Sequence, residues 1–269
     1  MSTIGFIGSG NMAEALIKGI VTAEVYEPRE VFVSDIRRER LGELAGKYGV
    51  TPCDTNAQVV ERSETVVLSV KPQFMNDALQ SIKGTPTAGK LFISIAAGIK
   101  MAQIAAVLGD VPIIRVMPNT PALVGQGASA LIANERARPL LDRALSIFAA
   151  VGKAVVVQEE GLIDAVTAVS GSGPAYFFLL MEAMMEAAVA LGLPPGAAKD
   201  LVLQTAKGAG LLAAEADKKG EGPAVLRRKV TSPGGTTEAA LRVFAGGGFA
   251  KLVGDALTAA RDRSRELSG

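Results

Sequence analysis

A chain of 269 residues is long enough for two separately packed domains, since single domains typically run to roughly 100–200 residues. Its 28 basic and 27 acidic residues nearly cancel, which excludes a broad field that would draw nucleic acid or an anionic membrane surface and leaves small molecules as the expected partners. Histidine is absent and Cys53 is the single cysteine, so a disulfide framework, a Cys/His metal cluster and every histidine-dependent triad are excluded; proton transfer falls to Lys, Asp, Glu, Tyr or a hydroxyl, and a cofactor that carries the difficult step is expected.

The chain opens Met1-Ser2-Thr3 and passes into a strand over residues 3–7 with no charged leader ahead of it. No window approaches the ~20 uninterrupted apolar residues of a membrane-spanning helix, so a cytoplasmic location without a membrane partner is expected. The strand ends in Gly8-Ser9-Gly10-Asn11-Met12-Ala13, a G-x-G-x-x-A turn that leads into an amphipathic helix. In that setting Gly8 permits the tight turn, Gly10 lets backbone approach a pyrophosphate, and Ala13 keeps the helix close to its strand. Unpaired N–H groups at the helix start attract phosphate charge.

A second strand over 31–34 ends in Ser34-Asp35-Ile36-Arg37-Arg38, where the adenosine ribose should lie. The signals there oppose one another. An acid at this strand end usually accepts hydrogen bonds from an unphosphorylated ribose, whereas Ser34 and Arg37 suit the extra phosphate of NADPH. Arg37 and Arg38 read equally well as solvated residues that open the next helix. NADPH is the expected coenzyme, with NADH as the alternative. Cys53 reads as a small packing residue.

Strands over 65–69, 91–95 and 113–116 finish in Val70-Lys71-Pro72-Gln73, Ala96-Ala97-Gly98 and Met117-Pro118-Asn119-Thr120-Pro121. Ligands of open α/β sheets bind beyond the carboxyl edge of the strands. These segments are therefore expected to flank the nicotinamide, with Lys71 and Asn119 offering polar groups. A last strand over 154–157 completes a βαβ rhythm that implies a mostly parallel, Rossmann-type sheet across residues 1–158.

Residues 159–269 read as all-helical, with helices over 162–191, 197–216, 237–244 and 249–267 and loops at Gly161, Pro194-Pro195-Gly196, 218–223 and Gly246-Gly247-Gly248. The stretch 175–191 is apolar nearly all round, broken by Glu182 and Glu186, and must be covered. Together with the apolar 209–214 it predicts burial against a second copy of the chain; a central helix in a monomeric bundle is the plainer alternative. Its opening segment, Ser170-Gly171-Ser172-Gly173-Pro174-Ala175-Tyr176, has small residues that admit either a ligand or close helix packing. Ahead of the helix at 237–244, Val230-Thr231-Ser232-Pro233-Gly234-Gly235-Thr236-Thr237 joins hydroxyl pairs to a bare Gly-Gly backbone, which suits a small carboxylate. Plain N-capping by Thr236 or Thr237 is the alternative.

Taken together, the segments IGSGNMAEA, SVKPQ, SIAAGI, RVMPNTP, SGSGPAY and VTSPGGTTEAAL resemble those of the pyrroline-5-carboxylate reductase family. The most specific is the run 230–241, because the glycine turn alone fits many dehydrogenases. The resemblance implies reduction of the cyclic imine 1-pyrroline-5-carboxylate to L-proline with NADPH or NADH, the last step of proline biosynthesis. It implies phosphate and ribose contacts at Gly8, Ser9, Gly10, Asn11, Met12, Ala13, Ser34 and Asn56, and a nicotinamide side at Val70, Lys71, Pro72, Gln73, Ala96, Ala97 and Gly98. The substrate carboxylate would meet Ser232 and the backbone from Gly235 to Thr237, within a cradle that includes Val230, Gly234 and Thr236. Thr237, with its hydroxyl near the ring nitrogen, and Lys71 are the candidate catalytic residues; no metal is expected. The resemblance also implies homodimers interleaved through the C-terminal helices, often assembled into rings.

Lys229 stands where many members carry Asn, and Asp35 clouds the coenzyme choice. Two other readings compete. A β-hydroxyacid dehydrogenase needs a Lys on the first long helix after the sheet, where this chain has Phe177-Phe178-Leu179-Leu180-Met181. A non-catalytic dinucleotide sensor would bind coenzyme without turnover.

Overall fold

Short runs of Val, Ile, Leu and Phe build the sheet in the computed structural model, which describes residues 2–268. Its strands are β1 (Ile4–Ile7), β2 (Val31–Ser34), β3 (Thr51–Pro52), β4 (Thr65–Leu68), β5 (Leu91–Ser94), β6 (Ile113–Met117), β7 (Gly127–Ala133) and β8 (Gly152–Val156). They pair in the order β3-β2-β1-β4-β5-β6-β7-β8. All pairings from β3 to β6 are parallel, β7 runs antiparallel to β6, and β8 lies parallel to β7. Every residue of β1, β2, β4 and β5 is buried, as expected of a sheet covered on both faces.

The cover comes from α1 (Asn11–Thr22), α2 (Arg38–Tyr48), α3 (Asn56–Arg62), α4 (Met75–Gln80), α5 (Met101–Leu108) and α6 (Leu141–Ala149). One apolar cluster holds Leu16, Ile17 and Ile20 of α1 with Ile147 and Phe148 of α6; another holds Val59 and Val60 of α3 with Leu79 and Ile104. Register aligns Ile7 with Ser34 and Leu68, and Leu68 with Ser94, so four strands finish in one row. Strand order reverses between β1 and β4, the kind of switch point at which such sheets bind ligands.

Two strands differ from the sequence expectation. β3 is only two residues long, and β7 reads Gly-Ala-Ser-Ala-Leu-Ile-Ala, small residues of weak strand preference. Tertiary pairing imposes β7: it fits between β6 and β8, where a side chain at Gly152 would collide with the Gly127 backbone.

After β8 every element is helical: α7 (Leu162–Val166), a π-helical turn (Thr167–Gly171), α8 (Gly173–Ala190), α9 (Pro195–Asp217), α10 (Pro223–Lys229), α11 (Thr236–Gly246) and α12 (Phe249–Ser268). The expected single helix over 162–191 is thus broken. The Ser172 N–H reaches back five residues to the Thr167 carbonyl at 2.8 Å, and Pro174 has no N–H to continue the ladder. α10, absent from the expected set, starts on Pro223, which is suited to the first helical position. The chain forms two compact units, Met1–Pro174 with Ala259–Gly269, and Ala175–Thr258. They divide it later than the change from sheet to helix.

The apolar stretch 175–191 is left uncovered by its own chain. Phe177 and Leu179 are each 66% exposed, and Phe178, Leu180, Met184 and Leu191 are exposed as well. The plainer alternative of a central bundle helix therefore fails. One helical stretch, Leu162–Ala190, is by length and composition apolar enough to cross a membrane. Asp164, Glu182 and Glu186 interrupt it.

Candidate active site

The glycine turn joins β1 to α1 as the sequence implies, which puts it at the switch point. Gly8 adopts φ +90°, and a Cβ there would lie 2.8 Å from Val70 Cγ1 and 3.0 Å from the Ser69 carbonyl. Only glycine fits both requirements. Ser69 fastens the end of β4 to this turn, its hydroxyl donating to the Gly8 carbonyl at 2.6 Å. Gly10 is the N-cap of α1 with φ −71°, no side chain caps the helix, and a Cβ at Gly10 would meet nothing within 4 Å. The turn thus presents open space beside unpaired helix N–H groups, the room and the donors that a pyrophosphate requires. Ala13 is buried against the sheet and Met12 packs on the same core, while Asn11 is exposed.

Ser34 and Asn56 meet at the end of β2. The Ser34 hydroxyl donates to Asn56 Oδ1 at 2.7 Å, and Asn56 Nδ2 donates to Ser81 Oγ at 2.8 Å. Arg37 is the N-cap of α2, with its guanidinium on Asp35 at 3.2 Å. The Asp35 carboxyl lies below its usual range: burial would raise it, but the Arg37 and Ser9 N–H groups and the Arg37 guanidinium outweigh that effect. Beyond these strand ends opens a shallow cavity lined by Asp35, Ile36, Arg38, Pro52, Asp54 and Arg62.

Val70, Lys71 and Pro72 follow directly on β4, and the last two are exposed. Ala96 is buried and Ala97 exposed on the loop after β5. Gly98 and Asn119, both assigned to the coenzyme, are instead engaged by the protein, as are the Gly8 and Ser9 N–H groups, which donate to the Ser34 carbonyl at 2.9 Å and to Asp35 Oδ2 at 2.8 Å. Gly98, at φ +75°, makes room for the Leu267 carbonyl, which would lie 3.2 Å from a Cβ. Asn119 is buried; its Oδ1 accepts from Ala128 N–H at 2.8 Å and its Nδ2 donates to the Ser170 carbonyl at 3.0 Å. It ties β6, β7 and the π-turn together.

A nearby ion pair was not anticipated. Arg115, with a side chain only 4% exposed on β6, donates to Glu160 Oε1 at 3.0 Å, and the same oxygen accepts the Met101 N–H at 2.9 Å. Nothing local in the sequence links residues 45 apart.

In the second unit, α11 is capped by Gly235, whose extended backbone (φ −82°, ψ 172°) bears no capping side chain. Neither Thr236 nor Thr237 is the N-cap, so the plain-capping alternative fails. The two glycines serve geometry rather than donation. Gly234 N–H donates to Glu238 Oε2 at 2.8 Å and Gly235 N–H to the Ser232 carbonyl at 3.0 Å. Gly234 sits at φ +69°, and a side chain on Gly235 would collide with Ser232 Oγ. The donors this helix start leaves available are therefore the first-turn N–H groups from Thr236 onward, with the Ser232, Thr236 and Thr237 hydroxyls beside them. Val230 is exposed. Glu221 is paired with Lys229 at 2.6 Å. Among the described residues no cluster of His, Cys, Asp and Glu is arranged to hold a metal.

Comparison with known proteins adds a separate line of observation. Residues 160–267 match the family model described as pyrroline-5-carboxylate reductase dimerisation, and residues 3–98 match the one described as NADP oxidoreductase coenzyme F420-dependent. The chain is 47% identical to a pyrroline-5-carboxylate reductase of Pseudomonas aeruginosa, over 100% of this chain and 98% of that one. Its structure is similar to that of a pyrroline-5-carboxylate reductase from Coxiella burnetii, with a TM-score of 0.94, 40% identity, and coverage of 100% and 99%. It is also similar to a Plasmodium falciparum pyrroline carboxylate reductase solved with NADP bound, with a TM-score of 0.85, 29% identity, and coverage of 100% and 98%.

Proposed function

The chain belongs to the pyrroline-5-carboxylate reductase family, and from that premise we propose which of its residues perform the reaction. It is an NAD(P)H-dependent oxidoreductase of proline biosynthesis, and its dimerisation region makes it a homo-oligomer. When bound, the reduced nicotinamide supplies the hydride that converts 1-pyrroline-5-carboxylate to L-proline.

In this reading Gly8 and Ser9 shape the turn, their own N–H groups being donated to the Ser34 carbonyl and to Asp35, while the N–H groups from Gly10 to Ala13 hold the pyrophosphate, and Ser34, Asn56 and Arg37 line the adenosine ribose. NADPH is the preferred form, because Arg37 and Arg38 keep most of their side-chain surface in solvent, within reach of an added phosphate. Val70, Lys71, Pro72, Ala96 and Ala97 border the nicotinamide. Gly98 and Asn119 set the shape of that border without donating to the ligand. Ser232, Thr236 and the uncapped start of α11 hold the substrate carboxylate. The Thr237 hydroxyl, directly or through one water, manages the proton on the imine nitrogen, and Lys71 is the second catalytic candidate. A protonated imine is already electrophilic, so holding it in position contributes much of the rate.

We assign dinucleotide binding to residues 1–158, and substrate binding and dimerisation to 159–269, with α8 and α9 covered by the second copy; the change from sheet to helix after β8 supports that division. Cytoplasmic location and the absence of nucleic-acid or membrane partners complete the reading. The observation that carries it is the α11 start: a glycine N-cap without a capping side chain, shaped by two glycines that cannot be replaced freely. Thr237→Ala is expected to lower kcat by about 100-fold with little change in coenzyme KM. A loss of coenzyme affinity with kcat preserved would remove Thr237 from the chemistry.

A further inference from the structure

Ser9, the middle residue of the glycine turn, is fully buried, and each of its polar groups is held by β2 or the segment after it. Its N–H donates to Asp35 Oδ2 at 2.8 Å, its hydroxyl to the Ser34 carbonyl at 3.2 Å, and its carbonyl accepts Arg40 Nε at 2.9 Å. Arg40 is itself fixed by Glu14 of α1 and by Glu43, the latter at 2.9 Å. Glu14 also accepts from Lys47 Nζ at 2.8 Å and from the Tyr48 hydroxyl at 2.9 Å.

Asp35 is equally committed. While Oδ2 takes the Ser9 N–H, Oδ1 accepts the Arg37 N–H at 2.9 Å and Arg37 Nε at 3.2 Å. A carboxylate offers about four acceptor positions, and three are filled on a side chain only 8% exposed. An acid at this strand end would ordinarily receive the hydroxyls of an unphosphorylated ribose. Here three of those positions are already used.

We propose that Asp35 and Arg40 are positioning residues that brace the pyrophosphate turn through Ser9, and that Asp35 does not select between NADH and NADPH. The inference rests on the reading that this turn takes the pyrophosphate. A turn fixed in its binding shape before the ligand arrives loses less entropy on binding. Because the pyrophosphate is common to both coenzymes, slackening the brace weakens both alike.

The test is steady-state kinetics of the whole enzyme with each coenzyme, for wild type, Asp35→Asn, Arg40→Gln and Arg40→Lys, beside apo-protein melting. Asp35→Asn and Arg40→Gln are expected to raise KM for NADPH and NADH by the same factor, about 10-fold for one lost charge-assisted bond. The NADPH/NADH ratio and kcat stay within about twofold, and Arg40→Lys, which restores the cation beside Glu14, recovers part of the loss. Should Asp35→Asn change that ratio about 10-fold or more, Asp35 selects between the coenzymes and the proposal is overturned. Unchanged KM in folded Asp35→Asn and Arg40→Gln would overturn it too. Gly10→Val separates the two levels: its allowed φ and empty surroundings keep the fold, so unchanged coenzyme KM in that variant would defeat the pyrophosphate reading itself.

Discussion

Gly8 and Gly10 belong to one motif but should fail in opposite ways. In Gly8→Ala, a left-handed backbone at φ +90° costs roughly 1–2 kcal/mol. The new Cβ would also sit 3.0 Å from the Ser69 backbone and 2.8 Å from Val70. Ser69 cannot retreat easily, because its N–H and hydroxyl are bonded to Ile7 and Gly8 at 2.9 and 2.6 Å. Crowding of that kind adds about 1–3 kcal/mol, for a total of about 2–5 kcal/mol. At roughly 2–4 °C per kcal/mol for a unit of this size, Tm falls by the order of 10 °C. Circular dichroism melting of the apo protein reads this directly. Gly10→Ala, with φ −71° and no atom within 4 Å of its Cβ, should leave the melt unchanged while coenzyme KM rises. An undisturbed melt for Gly8→Ala, or equal losses for both variants, would refute the reasoning.

Three further perturbations test other parts of the account. Hydrogen bonds from Lys47 and then Arg40, opposed by burial, hold Glu14 at about 2 against the usual 4.5. Because that value is depressed, its stabilisation is complete above about pH 4.5 and disappears as pH falls toward 2. It amounts to at most about 3 kcal/mol, since a fifth of the carboxylate surface stays in water; acid titration of Glu14→Gln should flatten this limb relative to wild type, and parallel curves would contradict it. Arg115→Ala strands a carboxylate that is 28% exposed and empties packed volume, so denaturant unfolding should show a loss of about 2–4 kcal/mol, partly regained in Arg115→Met. Leu179→Glu, on the exposed face of α8, should shift sedimentation velocity toward monomer, whereas an unaltered oligomer would place the interface elsewhere.

The sequence reveals elements whose physics is local. Val31–Ser34 and Leu91–Ser94 declare themselves through β-branched and apolar runs, and the glycine turn through its place between a strand and a helix. β7 is hidden because Gly, Ala and Ser carry no strand preference of their own and become a strand only when β6 and β8 flank them. The Arg115–Glu160 pair and the two-sided Asn119 amide depend on contacts across 45, 9 and 51 residues, which no local pattern encodes. Asp35 shows the same limit at the site. Its position is legible, but its use depends on which donors reach it first. The Gly234-Gly235 pair stands out in the sequence, yet its own N–H groups are consumed internally and the helix-start N–H groups lie one residue farther on.

The most direct test is to mix the purified protein with NADPH and 1-pyrroline-5-carboxylate and follow the absorbance of the reduced nicotinamide while L-proline is quantified. The account predicts continuous loss of absorbance with one proline formed per coenzyme oxidised. Saturable NADPH binding with neither absorbance loss nor proline would contradict it and leave a dinucleotide sensor instead.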